Sequence, residues 1–132
     1  MSRPLVFCCI VAFVFAAVPT PAGAATHTIH GTVVVRGGVS LEDCAGSDDQ
    51  SDIHQGTRIR AQDDDRRVIA RARLGVGRAG GGGIERCIFR FTMRDVASSP
   101  TYRFLIADRD EGRTVTRQRL VAHDWRVTLT PT

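Results

Sequence analysis

Glu85-Arg86-Cys87-Ile88-Phe89-Arg90-Phe91-Thr92-Met93-Arg94 is the most regular stretch of the 132-residue chain. Cys87, Phe89, Phe91 and Met93 fall on one phase; Arg90, Thr92 and Arg94 fall on the other, with Ile88 as the exception. A period of two residues over ten positions reads as a β-strand with one face in a core and one in water. The same alternation recurs on both sides of it. Thr28 to Arg36 places Ile29, Gly31, Val33 and Val35 on one face. Thr57 to Gln62 turns Ile59 and Ala61 inward and Arg58 and Arg60 outward. Val68 to Leu74 follows as its hairpin partner across Asp63-Asp64-Asp65, with Val68, Ala70, Ala72 and Leu74 inward and Arg71 and Arg73 outward.

C-terminal to the quoted stretch, Ser98-Ser99-Pro100 breaks the chain before a strand at Tyr102–Ala107. A tight turn at Asp108–Gly112 leads to a short polar strand, Arg113–Arg117, whose charge suits a sheet edge. One helical turn is expected at Gln118–Asp124, then a closing strand Trp125–Thr130 with Val127 and Leu129 inward. Short strands separated by turn residues, without long helices between them, predict an all-β fold: a single antiparallel β-sandwich of about seven strands. Gly75–Gly83 reads as a glycine-rich connector; it has the composition of a phosphate cradle, but no Gly-Lys-Ser/Thr follows and no helix begins there.

The N-terminus carries its own signature. Met1-Ser2-Arg3 is a short positive region, Leu5 to Val18 an unbroken apolar run, and Ala22-Gly23-Ala24 offers the small residues a signal peptidase reads. The run would span roughly 21 Å as a helix, short of a hydrocarbon core of roughly 30 Å. Residues 1–24 are therefore expected to be a cleavable signal peptide, and 25–132 a single secreted domain with no transmembrane anchor after cleavage. Phe7 before Cys8 does not fit lipidation. Cys8 and Cys9 leave with the signal, so Cys44 and Cys87 remain, and two cysteines in an oxidising compartment most simply form one disulfide.

Composition narrows function without naming it. All eighteen basic residues are arginine, as a GC-rich genome would produce. Seventeen of them face fourteen Asp plus Glu once the signal is removed, a net charge of about +3, too mild and too dispersed for nucleic-acid binding. His27, His30, His54 and His123 lack metal-ligand spacing. Asp48, Asp49 and Asp52, in the polar loop 42–56, could offer carboxylates to calcium, but the D-x-D-x-D-G pattern is missing, and whether that loop binds calcium is open. There is no G-x-S-x-G nucleophile elbow. No catalytic residue, metal site or cofactor is expected.

Several segments together resemble small secreted actinobacterial proteins of unknown function: Ser51-Asp52-Ile53 with Gly56-Thr57, Cys87-Ile88-Phe89-Arg90-Phe91, Tyr102, and Trp125-Arg126-Val127-Thr128-Leu129. This chain carries His123-Asp124 where that group usually has a glycine before the tryptophan, and its glycine-rich loop is longer. The resemblance implies a β-sandwich of transthyretin- or immunoglobulin-like shape and no activity. A true immunoglobulin domain would place its tryptophan between the two cysteines, whereas Trp125 follows both.

Arg58, Arg60, Arg71, Arg73, Arg90 and Arg94 share the outward phase of three strands, while the acids concentrate in loops at 42–52, 63–65 and 108–111. If those strands share a sheet, one face is a candidate anion-binding surface. The expected function is thus an exported, non-enzymatic binding or interaction domain. Its partner would be an anionic envelope polymer, a phospholipid headgroup or another, acidic exported protein. The alternative is a secreted hydrolase or an accessory domain of one. The processing expectation is checked directly: N-terminal sequencing of the exported protein should begin at Ala25 or Thr26, and recovery of membrane-bound protein starting at Met1 would replace the signal peptide with a signal-anchor.

Overall fold

The computed structural model describes residues 25–37, 39–40, 44–80 and 85–132; the expected signal segment 1–24, Glu42 and Asp43 lie outside this range. The Cys87–Met93 alternation becomes the central strand of the first sheet. β1 (Thr26–Arg36) and β7 (Arg86–Ala97) run antiparallel, pairing Val35 with Cys87, Val33 with Phe89, Gly31 with Phe91 and Ile29 with Met93. All these positions are buried, so both strands present one apolar face. The alternation slips by one residue near Asp95, where β7 carries a residue more than β1 opposite and Asp95 takes φ 54°. That bulge turns Val96, not Asp95, into the core.

β10 (Arg126–Leu129) lies on the other side of β1, pairing Gly31 with Val127 and Val33 with Leu129. This pair is parallel, a departure from the all-antiparallel expectation; the single-turn helix α1 (Arg117–Ala122) between the sheets lets the chain re-enter in that direction. Thr116 caps α1 by accepting from the Arg119 N–H, and Leu120 anchors it in the core. Asp124 and Trp125 then reverse the chain with φ of 54° and 58°. Such values are strained for residues with a Cβ, which explains why a glycine before the tryptophan would fit this corner.

The second sheet has the order β5-β4-β8-β9, built from β4 (Arg58–Gln62), β5 (Val68–Arg73), β8 (Thr101–Ile106) and β9 (Arg113–Thr116). β4 and β5 form the expected hairpin, and β9 is the expected edge strand. The two inner faces share one core: Ile29, Val33, Phe89, Phe91 and Met93 from the first sheet meet Ile59, Ala61, Tyr102 and Phe104 from the second. The fold is a β-sandwich as predicted, with more strands than the expected seven. One addition is the two-residue ribbon of β2 (Val39–Ser40) and β3 (Ala45–Gly46). Another is β6 (Arg78–Ala79), inside the glycine-rich connector, which joins the edge of β7.

The sheets also meet along one side. Cα atoms of β5 and β7 approach within 8 Å, closer than the ~10 Å of sheets stacked face to face, so these strands run edge by edge. The Gly75 N–H donates to the Arg90 carbonyl at 2.8 Å, carrying the chain from β5 across this seam to β6. Among the described residues no helix is long and apolar enough to cross a membrane.

Cys44 and Cys87 form the expected disulfide, with Cα atoms 5.5 Å apart across a separation of 43 residues. It ties the loop before β4 to the buried face of β7. Closing a loop of this length stabilises by about 4 kcal/mol on the chain-entropy account. Replacing both cysteines by alanine should lower the melting temperature by at least about 10 °C while leaving the far-ultraviolet circular dichroism unchanged, since ~1 kcal/mol moves a domain of this size by about 4 °C or more. An unchanged melting temperature would show that the bridge adds nothing.

Candidate basic surface

The hairpin register places the outward arginines of β4 and β5 directly opposite one another: Arg58 pairs with Arg73 and Arg60 with Arg71. Like charges at paired positions are unfavourable in a sheet, so each side chain has to find relief in solvent or in a nearby carbonyl. Arg60 donates to the Ala107 carbonyl at 3.2 Å and Arg73 to the Gly56 carbonyl at 3.0 Å. Arg58 and Arg71 remain exposed. These four arginines come together as expected. Arg90 and Arg94, also exposed, belong to β7 and hence to the other sheet. The premise of three strands in one sheet is corrected: Arg58, Arg60, Arg71 and Arg73 lie on the second sheet and Arg90 and Arg94 on the first, and the two sheets approach one another through β5 and β7.

Sequence periodicity missed further members. Arg36 of β1 pairs with Arg86 of β7, and Arg126 of β10 pairs with His30. All share the outward phase with Arg90, and Arg78 of β6 stands opposite Ile88 on that same phase. Arg36, Arg86 and Arg126 could have been found by extending the strand phases to their ends. Arg78 was hidden by the glycines around it. No Asp or Glu falls on the outward phase of β1, β7 or β10 between Thr28 and Arg36, Arg86 and Arg94, or Arg126 and Thr128.

The carboxylates are held elsewhere. Arg109 grips Asp52 with a two-pronged contact, Nη2 to Oδ1 at 2.7 Å and Nε to Oδ2 at 2.9 Å. It also donates to the carbonyls of Asp49 and Thr132, pinning the polar loop to the C-terminal segment. Asp63 accepts the backbone N–H groups of Asp65 and Arg67 and the Arg67 Nε, which closes the β4–β5 turn. Among the described residues the ion pairs involve only Arg67 and Arg109, so none of the six sheet arginines is neutralised.

Asp52 of the polar loop and Asp63 of the β4–β5 turn are bonded within the protein. Both oxygens of Asp52 are committed to Arg109, which leaves Asp48 and Asp49 without it. The carboxylates of Asp63, Asp64 and Asp65 lie within 4.8 Å of one another, but both Asp63 oxygens already accept N–H donors. His27 stacks on Trp125, ring centroids 3.8 Å apart, and His54 bonds the neighbouring Gln55 carbonyl; both act locally.

Comparison with protein-family models, curated proteins and solved structures finds no match to this chain.

The buried or bonded carboxylates have a measurable consequence. The Arg109 hydrogen bond holds Asp52 below its ordinary value of 3.8, against an opposing effect of burial. The Arg67 backbone N–H is the main cause of the same downward shift at Asp63. A carboxylate whose folded pKa is lowered contributes stability that is complete above its unfolded value and lost as pH falls through the folded one. The melting temperature should therefore drop on acidification below about pH 4, and an Asp52→Asn, Asp63→Asn variant, less stable at pH 7, should show a shallower drop over that window. Equal acid slopes for parent and variant would refute the assignment.

Proposed function

We propose that the protein is an exported, non-enzymatic binding domain that contacts an anionic cell-envelope polymer through the outward arginines of β4, β5 and β7, the strands on either side of the line where the two sheets approach. The observation that carries this reading is the charge segregation: six outward arginines on β4, β5 and β7 without an ion pair among the described residues, while Asp52, Asp63 and Asp65 are tied to Arg109 and Arg67. Export is supported by the N-terminal apolar run Leu5–Val18 and by the Cys44–Cys87 bridge, which fits an oxidising compartment.

A polymer of repeated charge suits such a surface better than a compact ligand does. The arginines are spread along three strands, so a partner must engage several at once, and guanidinium forks take carboxylate or phosphate oxygens in pairs. Individually screened contacts then add through their number.

Binding to isolated envelope polymer should weaken steeply between ~0.01 M and ~0.15 M salt, as the screening length shrinks from ~30 Å to ~8 Å. Arg58, Arg71 and Arg94 are exposed, and their side chains make no hydrogen bond among the described residues, so an Arg58→Glu, Arg71→Glu, Arg94→Glu variant should keep its melting temperature and lose binding at least about tenfold, roughly 1.4 kcal/mol. Binding of the folded variant equal to the parent's would exclude this surface.

A further inference from the structure

We infer that the recess between β6 and β7 is a discrete binding site for an organic phosphate ester. It has a volume of about 620 Å³ and is lined by Arg78, Arg86 and Arg90 together with Val76 and Ile88. The backbone builds this convergence. Arg86, Ile88 and Arg90 are alternate residues of β7 and so share a face, and the β6 register sets Arg78 opposite Ile88. Three guanidiniums therefore surround one apolar side chain.

Two observations mark the recess as more than an arginine-rich patch. The Arg86 Nε is enclosed and has no acceptor among the described residues. An unmet buried donor is unfavourable, and an oxyanion entering the recess offers acceptors to the rest of that guanidinium. The second observation is steric. A Cβ on Gly80 would stand 2.2 Å from the Arg86 Nε and 2.5 Å from its Cγ, so only glycine leaves that side chain its place. Among the described residues no carboxylate lines the recess.

The chemistry of the ligand follows from the lining. Planar guanidinium forks match the paired oxygens of a phosphate group. Val76, 64% exposed, and Ile88 supply an apolar shelf beside the charge. A phosphate carrying a carbon substituent satisfies both parts, where inorganic phosphate satisfies only one. Such an ester could be presented by a soluble or polymeric phosphodiester or by a phospholipid headgroup. Of the six arginines on which the proposed function rests the site uses only Arg90, so the two stand or fall separately.

The test is a nuclear magnetic resonance titration of the ¹⁵N-labelled protein with inorganic phosphate and with glycerol 3-phosphate, joined to cosedimentation with phosphatidylglycerol vesicles. Amides of residues 78–80 and 86–90 should shift along a saturating curve, with glycerol 3-phosphate binding more tightly than inorganic phosphate. Arg86→Gln should weaken binding about tenfold, Arg86→Lys nearly as much because the fork is lost, and Arg58→Gln not at all. Gly80→Ala, far from the core, carries the same expectation and keeps the test decisive if Arg86→Gln fails to fold. Cosedimentation abolished by Arg86→Gln assigns the ester to a headgroup; ester binding without cosedimentation assigns it to a soluble or polymeric source. Absence of a saturable shift with either phosphate, or equal weakening by Arg58→Gln, overturns the inference.

Discussion

Everything in this domain is hung on the ladder between β1 and β7. It is the longest pairing in the fold, running from Thr26 opposite Ala97 to Arg36 opposite Arg86. Its tightest point is Gly31, across from Phe91. A Cβ on Gly31 would sit 1.8 Å from the Phe91 ring, so the aromatic ring occupies the space where a side chain would be. A domain with few aromatic residues cannot leave such a ring half-packed, and the glycine lets Phe91 lie across the neighbouring strand. Around this contact the other elements find their places. β10 aligns parallel to β1 so that Val127 and Leu129 join the same core, and β4 and β8 close it from the opposite sheet.

The second constraint is where to put so many guanidiniums. With a core filled by aliphatic and a few aromatic residues, the arginines are kept out of it, and outward strand positions provide for most of them. The stems still contribute. Leu105 points away from the core, opposite Arg60, yet is only 3% exposed. It is covered because the 107–112 turn folds back over the outer face, with Arg60 donating to the Ala107 carbonyl and Arg103 to that of Asp110. Long arginine side chains here lay their carbons on the sheet and send their charge to backbone carbonyls. The carboxylates, by contrast, are shorter and close turns, as Asp63 does by accepting two backbone N–H groups. Segregation of charge is thus partly a consequence of side-chain length and turn chemistry, and the unpaired arginine surface is its result.

These considerations explain which features were legible in the sequence. Period-two alternation is a local property, and wherever it was clean the structure follows it: Cys87 to Met93, Ile29 to Val35, and Ile59 with Ala61 are all buried on the expected phase. The disulfide was legible because only Cys44 and Cys87 remain beyond the apolar N-terminal run. Partnership between strands was not legible. Nothing local to Arg90 says that β7 joins β1 instead of β4, nor that β10 runs parallel to β1. β6 escaped because Gly77 and Gly80 erase the alternation that would mark a strand, although each is there for close approach, Gly77 to Phe89 and Cys44, Gly80 to Arg86. The slip at Asp95 was hidden for a related reason, since a bulge is a backbone event that moves the phase without changing composition.

The glycine-rich segment, the disulfide and the basic recess then prove to be one structural unit. A Cβ on Gly77 would stand 2.9 Å from the Cys44 Cβ and 2.6 Å from the Phe89 ring, so the segment passes directly over the bridge. Two residues later Ala79 pairs with Cys87 itself. Arg86 and Ile88, which line the recess, flank that same cysteine. The bridge fixes the start of β7 against the polar loop, and the chain leaving β5 passes over it to become β6. Side chains on a two-residue edge strand would otherwise be poorly held, because so short a ladder contributes little by itself. Arg78 and Arg86 are placed with respect to one another by a covalent bond beneath them, a steric fit at Gly77 and Gly80, and the β7 ladder behind. The glycines that look like slack in the sequence are what allow these three restraints to meet at one point.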